Sequence, residues 1–389
     1  MKRPDAVSRE MKILICMDSF KGNMSAAEAC SRVADGLRRS LPDAELLAVP
    51  VGDGGEGTAD AIGKALGGQW VEQEVTGPLP ERRVTAGWMR LDRAGHMEAV
   101  VEMARASGMA LLRPDELDPS RTTTWGTGEL VDHARRSGAR RIYLSVGGSA
   151  TVDCGTGAAA ALGWRFLDDR GEDVYPCGGN LLRMRYIVPP SARNLPPVVV
   201  LCDVDNPLCG PRGAARVFAP QKGADPAMVE MLEDGLEHVA ALVRSELGID
   251  VRDMPGAGAA GGLAAGAVAF MGAELTSGID TVIRIVGLDE YARQADWIVT
   301  GEGSFDEQSL MGKVVSGIVR LARRYGVAVA VIAGRVRIER RKCPPEIRHV
   351  LPLSTPEEDQ SVAISQSTVR LVHAAEKLGR KILKDISPR

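Results

Sequence analysis

At 389 residues the chain is too long for one ordinary hydrophobic core, so two domains are the starting expectation. A formal net charge of −3 removes any electrostatic ground for a nucleic-acid or anionic-membrane partner. Aromatic residues make up only 4% and glycine is abundant, at 44 residues, which favours α/β architecture with tight strand-to-helix turns over an aromatic-rich β-sandwich.

In chain order, residues 1–10 are polar and read as a disordered tail with no apolar segment of a signal peptide. Lys12–Met17 reads as a buried strand ending in Asp18-Ser19-Phe20-Lys21-Gly22. Ser25-Ala26-Ala27-Glu28 is a capping-box pattern, and Ala29, Val33, Leu37 and Leu41 follow at helical spacing until Pro42. Residues 46–51 read as a second strand that runs into Gly52-Asp53-Gly54-Gly55-Glu56-Gly57-Thr58, and residues 58–66 read as a short helix closed by Gly67-Gly68. A βαβα opening predicts a parallel sheet with right-handed crossovers, whose ligands collect at the carboxyl ends of strands. Asp18, Lys21, Asp53 and Glu56 all fall just past strand ends.

The texture changes after residue 70. Segments 71–75, 82–89 and 96–102 read as strands with turns at Gly77-Pro78 and near Gly95, which predicts a mixed sheet and a second domain starting near residue 80. A helix begins around Thr124-Trp125 and runs to Ser137-Gly138; strand 141–146 ends in Gly147-Gly148-Ser149-Ala150-Thr151; a small-residue helix follows at 155–162. Strand 198–202 delivers Asp203-Val204-Asp205-Asn206-Pro207. A long amphipathic helix at 226–247 precedes a glycine-rich loop at 255–262 and further helices at 263–271, 277–286 and 288–295. The strand–helix rhythm then resumes, with strands at 297–300, 327–333 and 350–353, a helix at 314–325 and a C-terminal helix marked by Val369, Val372, Leu378 and Ile382. The predicted fold is therefore α/β in two domains: a parallel Rossmann/flavodoxin-like domain built from both chain ends, residues 11–80 and 280–389, with a mixed-sheet α/β domain, residues 81–279, inserted into it.

Several motifs bear on chemistry. Gly52, Gly54 and Gly57 match G-x-G-x-x-G between a strand and a helix, which keeps a dinucleotide-dependent oxidoreductase open as an alternative. Asp53 and Glu56 inside that loop would face a pyrophosphate, so the loop suits a metal or a polyol hydroxyl better. Gly256, Gly258 and Gly261 repeat the pattern with no strand before them; their loop either cradles phosphates on backbone N–H groups or packs helices closely. No Walker A spacing is present. Asp203 and Asp205 end a buried-looking strand, where carboxylates need partners, and either hold a metal, accept a proton or cap a turn. Lys21, Lys222 and Lys313 sit beside glycines, as solvated lysines or as phosphate ligands. His133 and His238 read as helix-surface residues, and Cys154 and Cys202 as packed small hydrophobes. The seven cysteines are scattered, with no C-x-x-C pair, which argues against a disulfide framework or zinc site and fits a reducing cytoplasm.

Taken together and in order, Asp18-Ser19-Phe20-Lys21-Gly22, the 52–58 loop, Thr76-Gly77-Pro78-Leu79, Gly126-Thr127-Gly128-Glu129-Leu130, Gly147-Gly148-Ser149-Ala150-Thr151, Cys202-Asp203-Val204-Asp205-Asn206-Pro207-Leu208, Phe218-Ala219-Pro220-Gln221-Lys222-Gly223-Ala224, the 255–262 loop and Thr300-Gly301-Glu302-Gly303 resemble the bacterial glycerate kinase family, the glyoxylate/galactarate-pathway type. The match spans residues 11–334. The resemblance implies two α/β domains with the active site in the cleft between them, and ATP-dependent, Mg²⁺-assisted phosphorylation of D-glycerate to 2-phosphoglycerate, with 3-phosphoglycerate as the other product label. This chain departs from the family at Val152-Asp153-Cys154-Gly155, at Arg105 and at Ser304-Phe305; the changes at Val152 and Cys154, beside Asp153, bear on rate or exact substrate rather than on fold. A non-catalytic glycerate- or nucleotide-binding protein, favoured by Val152 and Cys154, is the second alternative.

Under this resemblance the expected catalytic residues are Asp203, Lys21 and Asp53. Asp53 orients substrate hydroxyls, Lys21 neutralises charge on the transferring group, and Asp203 takes the hydroxyl proton or, with Asp205, holds Mg²⁺. Asp18, Ser19, Gly54, Gly55, Glu56 and Ser149 are the expected substrate contacts. Gly147, Gly148, Gly256, Gly258, Gly261 and Gly262 are the expected nucleotide contacts. An arginine clamp for the substrate carboxylate is expected among Arg105, Arg212 and Arg335. The expected partners are D-glycerate and ATP, without nucleic acid or membrane; a homodimer stays open.

Overall fold

The computed structural model describes residues 10–20, 22–192, 194–355 and 358–386. The chain divides into two compact units, Met1–Gly52 with Val282–Arg389, and Asp53–Thr281. The first unit opens with β1 (Lys12–Met17), α1 (Ala26–Ser40) and β2 (Glu45–Ala48). The second holds α2 (Thr58–Leu66), β3 (Gln69–Thr76), β4 (Arg83–Arg93), β5 (His96–Glu102), α3 (Ala104–Ser107), α4 (Trp125–Arg136), β6 (Ile142–Ser145), α5 (Thr156–Ala161), β7 (Arg165–Leu167), β8 (Tyr186–Val188), β9 (Val198–Leu201), α6 (Ala214–Phe218), α7 (Pro226–Leu247), α8 (Leu263–Met271) and β10 (Glu274–Thr276). Helix α9 (Gly278–Val286) carries the chain back, and the first unit is completed by α10 (Leu288–Ala292), β11 (Trp297–Gly301), β12 (Ser304–Phe305), α11 (Val314–Tyr325), β13 (Ala328–Ala333), β14 (Arg335–Val336), β15 (Ile347–Pro352) and α12 (Gln360–Ile386).

The sheet of the first unit is parallel throughout, in the order β15-β13-β11-β1-β2. Strands covered on both faces read as unbroken apolar runs, and β1 obeys this: Ile13, Leu14, Ile15, Cys16 and Met17 are all buried. Ser25 caps α1 by accepting from the Glu28 N–H at 3.2 Å. α1 lies against α12 so closely that a Cβ on Gly36 would stand 2.2 Å from the Val372 carbonyl oxygen. Val33 and Leu37 meet Leu371, Leu378 and Ile382 there. Regular pairing of β2 stops at Ala48, short of the predicted Val51, yet Val49 and Val51 still donate to the carbonyls of Ile15 and Met17. The strand order reverses between β1 and β11, and their carboxyl ends are joined by the Asp18 N–H on the Gly301 carbonyl at 2.9 Å. Asp18 Oδ1 accepts from the Ser19 N–H at 2.7 Å. Lys21 lies outside the described residues.

The second unit is built on a six-stranded mixed sheet, β10-β9-β6-β5-β4-β3, in which β10, β9, β6 and β5 run parallel and β4 and β3 return antiparallel. Two apolar cores are assembled from its own residues. One gathers Trp88, Val101, Leu130, Leu144 and Leu263. The other gathers Trp164, Phe166, Leu232, Leu236 and Phe270, with edge-to-face rings at 5.1 and 5.5 Å. The crossing into this unit falls at Gly52–Asp53 rather than near residue 80. Strand β3 pairs along its whole length with β4, and α2 lies on that pair, where a Cβ on Gly63 would overlap the Met89 side chain at 2.4 Å. Among the described residues no helix is long and apolar enough to cross a membrane.

Candidate active site

Within the second unit the carboxyl ends of β6 and β9 carry the chemistry-bearing loops. The acidic glycine loop, residues 53–57, lies directly on them. Ser145, the last residue of β6, donates its hydroxyl to the carbonyls of Gly54 and Gly55, the latter at 3.0 Å. A Cβ on Gly54 would stand 2.8 Å from the Leu201 carbonyl at the end of β9, and Gly54 holds φ +89°, so only glycine fits. The loop closes on itself: the Gly54 N–H donates to Thr58 Oγ1 at 3.0 Å and the Gly55 N–H to Asp53 Oδ1 at 3.0 Å. That bond is an Asx turn, and it fixes the half-buried Asp53 carboxylate against its own loop.

Asp203, two residues past β9, is held at the start of α9. Its Oδ1 accepts from the Gly278 N–H at 2.8 Å and the Ser277 hydroxyl at 3.1 Å, and its Oδ2 accepts from the Ile279 N–H at 3.3 Å. Burial, and then the negative charge of Asp53, push the Asp203 carboxyl up to about 7, against the pull of these three donors. A Cβ on Gly278 would sit 2.0 Å from the Asp53 carbonyl and 2.9 Å from Asp203 Oδ2, so the two acidic residues share one wall. Ser277 and Gly278 escaped sequence reading, because a Ser-Gly at a helix start signals a cap and nothing about which carboxylate it meets.

The loop after β6 abuts the same place. A Cβ on Gly147 would stand 2.6 Å from Gly55 Cα, and one on Gly148 would stand 3.9 Å from Glu56 Oε2. Gly148 and Glu56 are exposed, whereas Ser149 is buried. The loop is braced from behind: the Met109 N–H donates to the Gly148 carbonyl, the Ala150 N–H to the Ser107 carbonyl, and the Thr122 hydroxyl to the Ala150 carbonyl. Ser149 Oγ accepts from the Lys222 ammonium at 2.7 Å. Lys222 is only 1% exposed, not a solvated lysine as one reading of the sequence had it. The second unit thus brings Asp53, Gly54, Gly55, Glu56, Gly147, Gly148, Ser149 and Asp203 together.

Other expected residues stand elsewhere. Asp205 is exposed and pairs with Arg212 at 2.8 Å, which engages both the second metal candidate and one clamp candidate. Arg105 lies 3.6 Å over the Trp70 ring and pairs with Asp60 and with buried Glu102, so it is held in a structural cluster. Glu102 also accepts from the Ala59 N–H at 2.7 Å, tying β5 to the helix behind the acidic loop. Arg335, in the first unit, donates to the Glu358 carbonyl. The 256–262 loop is buried, and its glycines serve contact with neighbouring backbone. Cβ atoms would stand 2.3 Å from the Pro207 carbonyl at Gly258, 2.0 Å from the Thr151 carbonyl at Gly261 and 3.0 Å from Cys154 Cα at Gly262. Gly256 stands 3.3 Å from the Val204 carbonyl by the same measure. Close packing, not an open phosphate cradle, is what the fold makes of this motif. Asp153 is fully enclosed and accepts from Thr124 N, Thr124 Oγ1, Gly155 N and Gly157 N, so it locks α4 and α5 together. Val152 and Cys154 are buried around it. His133 is also more than a surface residue: it accepts from the Trp88 indole N–H at 2.9 Å. No cluster of three His, Cys, Asp or Glu side chains fit to hold a metal occurs among the described residues.

Comparison with known proteins places the chain among relatives. Residues 13–383 match the model of the glycerate kinase family. The chain is similar to glycerate 2-kinase of Escherichia coli, 43% identical over 83% of this chain and 85% of that one. It is equally similar to glycerate kinase of Bacillus subtilis, 43% identical over 84% and 85%. A crystal structure from Salmonella typhimurium LT2, provisionally assigned as glycerate kinase 2, superposes with a TM-score of 0.83 at 38% identity, covering 97% of this chain and 99% of that one. On sequence and on fold alike, the chain belongs to the glycerate kinase family.

Proposed function

We propose that the chain transfers the terminal phosphoryl group of ATP to the 2-hydroxyl of D-glycerate, giving 2-phosphoglycerate and ADP in the cytoplasm. The observation that carries this reading is the pairing of Asp203, its carboxyl raised to about 7, with Asp53 under an exposed glycine loop. Phosphoryl transfer asks a protein for positioning and charge neutralisation more than for covalent chemistry. A carboxylate whose proton affinity lies near working pH suits the acceptance of the hydroxyl proton as the new O–P bond forms and the bond to ADP breaks. Asp53 orients the glycerate hydroxyls, and Glu56, Gly54 and Gly55 line the same wall. Gly147 and Gly148 present accessible backbone to anionic oxygens. In the first unit, Asp18, Ser19 and Lys21, past the end of β1, are proposed as further ligand contacts.

The donor set fits Mg²⁺. It offers two carboxylates rather than a closed cage of three, which suits an ion that keeps waters and phosphate oxygens in its shell. Asp53, through the oxygen that Gly55 leaves unengaged, would hold it; were Asp203 to join it as a ligand, the ion's charge would lower its proton affinity and it would not be the group that takes the hydroxyl proton. When bound, the ion supplies positive charge against the phosphate oxygens.

The test supplies D-glycerate, ATP and Mg²⁺ and follows ADP, then offers the product to enolase with no mutase present. ADP release with immediate conversion by enolase is the expected result. Dependence on mutase would mean the 3-phosphate, and binding of glycerate without ADP release would mean a non-catalytic protein.

A further inference from the structure

We infer that Lys222 is a positioning residue for this reaction: its buried side chain fixes the 147–151 loop and turns the Ser149 hydroxyl into a polarised donor for an anionic oxygen of the bound substrate or nucleotide. The inference rests on reading Gly147, Gly148 and Ser149 as ligand-facing.

Lys222 ends a 3₁₀ turn, Pro220–Lys222, just after α6, and Gly223 at φ +99° turns the chain away behind it. Lysine is almost never fully enclosed without a charged partner. Among the described residues Lys222 has no carboxylate in ion-pair range. Its two partners are the Ser149 hydroxyl and the Thr151 carbonyl, both at 2.7 Å and both in the strand-end loop. Asp153, the acidic group that acts on it, already accepts four hydrogen bonds from Thr124, Gly155 and Gly157. The Lys222 amine is therefore held in the interior, one hydroxyl behind the exposed Gly148, without a directly bonded counter-charge.

An apolar side chain of the same length would fill the place at lower desolvation cost. What the ammonium adds is directional. Because Ser149 Oγ accepts from Lys222, its own hydrogen is left to donate, and no acceptor for it is present among the described residues. Donation to an anion from a hydroxyl that is itself bonded to a cation is strengthened by the chain of bonds. Burial pulls the amine down to about 7, and an anion beside Ser149 would favour its charged form.

The experiment compares Ser149→Ala, Lys222→Met and the double variant in steady-state kinetics, with far-UV circular dichroism as the fold check. Each single variant is expected to lower kcat/KM by about 10²-fold, the size of losing one aimed donor. The double variant is expected to match the worse single one within about twofold, because both changes remove one coupled device. A loss in KM for D-glycerate points to the substrate carboxylate, a loss in KM for ATP points to a nucleotide phosphate, and a loss in kcat alone points to the transferring group. An impaired Ser149→Ala beside a wild-type Lys222→Met would overturn the inference while leaving the loop reading in place; if Ser149→Ala is itself silent, both fall. Should Lys222→Met not fold, the wild-type protein labelled with ¹⁵N-lysine decides. The side-chain nitrogen signal of Lys222, assigned through its loss in Lys222→Arg, is expected to shift when D-glycerate or a non-hydrolysable ATP analogue is added, and an unmoved signal sinks the idea.

Discussion

Asp203 carries a charge in a place that penalises it. Its folded proton affinity lies near 7 and its unfolded value near 3.8, so it contributes stability below pH 3.8 that is lost as pH rises through about 7. Above that, the free protein holds an ionised carboxylate that is largely buried and beside Asp53. Asp203→Asn removes the charge but spoils part of the bonding to Gly278 and Ile279. The net expectation is therefore a gain of about 1–2 kcal/mol at pH 8 that vanishes at pH 4, read as a change in Tm at the two pH values. The same variant is expected to lose at least ~10²-fold in kcat. A variant that kept wild-type turnover would remove Asp203 from the chemistry. The residue itself was legible in the sequence, because an Asp after a buried strand is visible in the pattern. Its proton affinity was not, because Asp53 and the start of α9 come from distant parts of the chain.

At the scale of elements, the acidic loop and the first turn of α9 form one wall. Gly278→Ala forces a methyl against the Asp53 carbonyl and Asp203 Oδ2. It should displace the two carboxylates and cost ~10²-fold in kcat/KM, as a 1 Å misplacement can do. Gly57→Ala is the matched control. Its φ is +88° and nothing lies within 4 Å of the added atom, so it should cost only about 1–2 kcal/mol of backbone strain and leave kinetics near wild type. Equal damage from both substitutions would show that the loop senses strain in general rather than this contact. The 256–262 loop makes the complementary point. Its glycine spacing is indistinguishable in sequence from a phosphate-binding loop, and only the backbone of residues 151, 154 and 207 lying against it reveals a packing role.

For the whole molecule, the two units differ in how they can be assembled. Among the described residues the strands of the second unit pair only with one another, and both of its cores use residues from 53–281 alone. A fragment of residues 53–281 is expected to unfold in one cooperative transition, with retained far-UV ellipticity. A molten fragment without a transition would contradict that self-sufficiency. The first unit has no such freedom, since β1 lies between β2 from the N-terminal part of the chain and β11 from the C-terminal part, and α1 packs on α12.

The sequence by itself determined the family, the alternation of strands and helices, and the identity of the residues placed at strand tips. Each of these is a local pattern: motif order, apolar period, or the residue that follows a buried run. Tertiary structure alone decided four other matters. The loop that begins after β2 belongs to the other sheet. Arg105 is held by Trp70, Asp60 and Glu102. The glycines of 256–262 are filled by backbone, and Lys222 is sealed behind Ser149. Burial and partnership depend on chain segments far apart in sequence, so spacing along the chain carries no record of them.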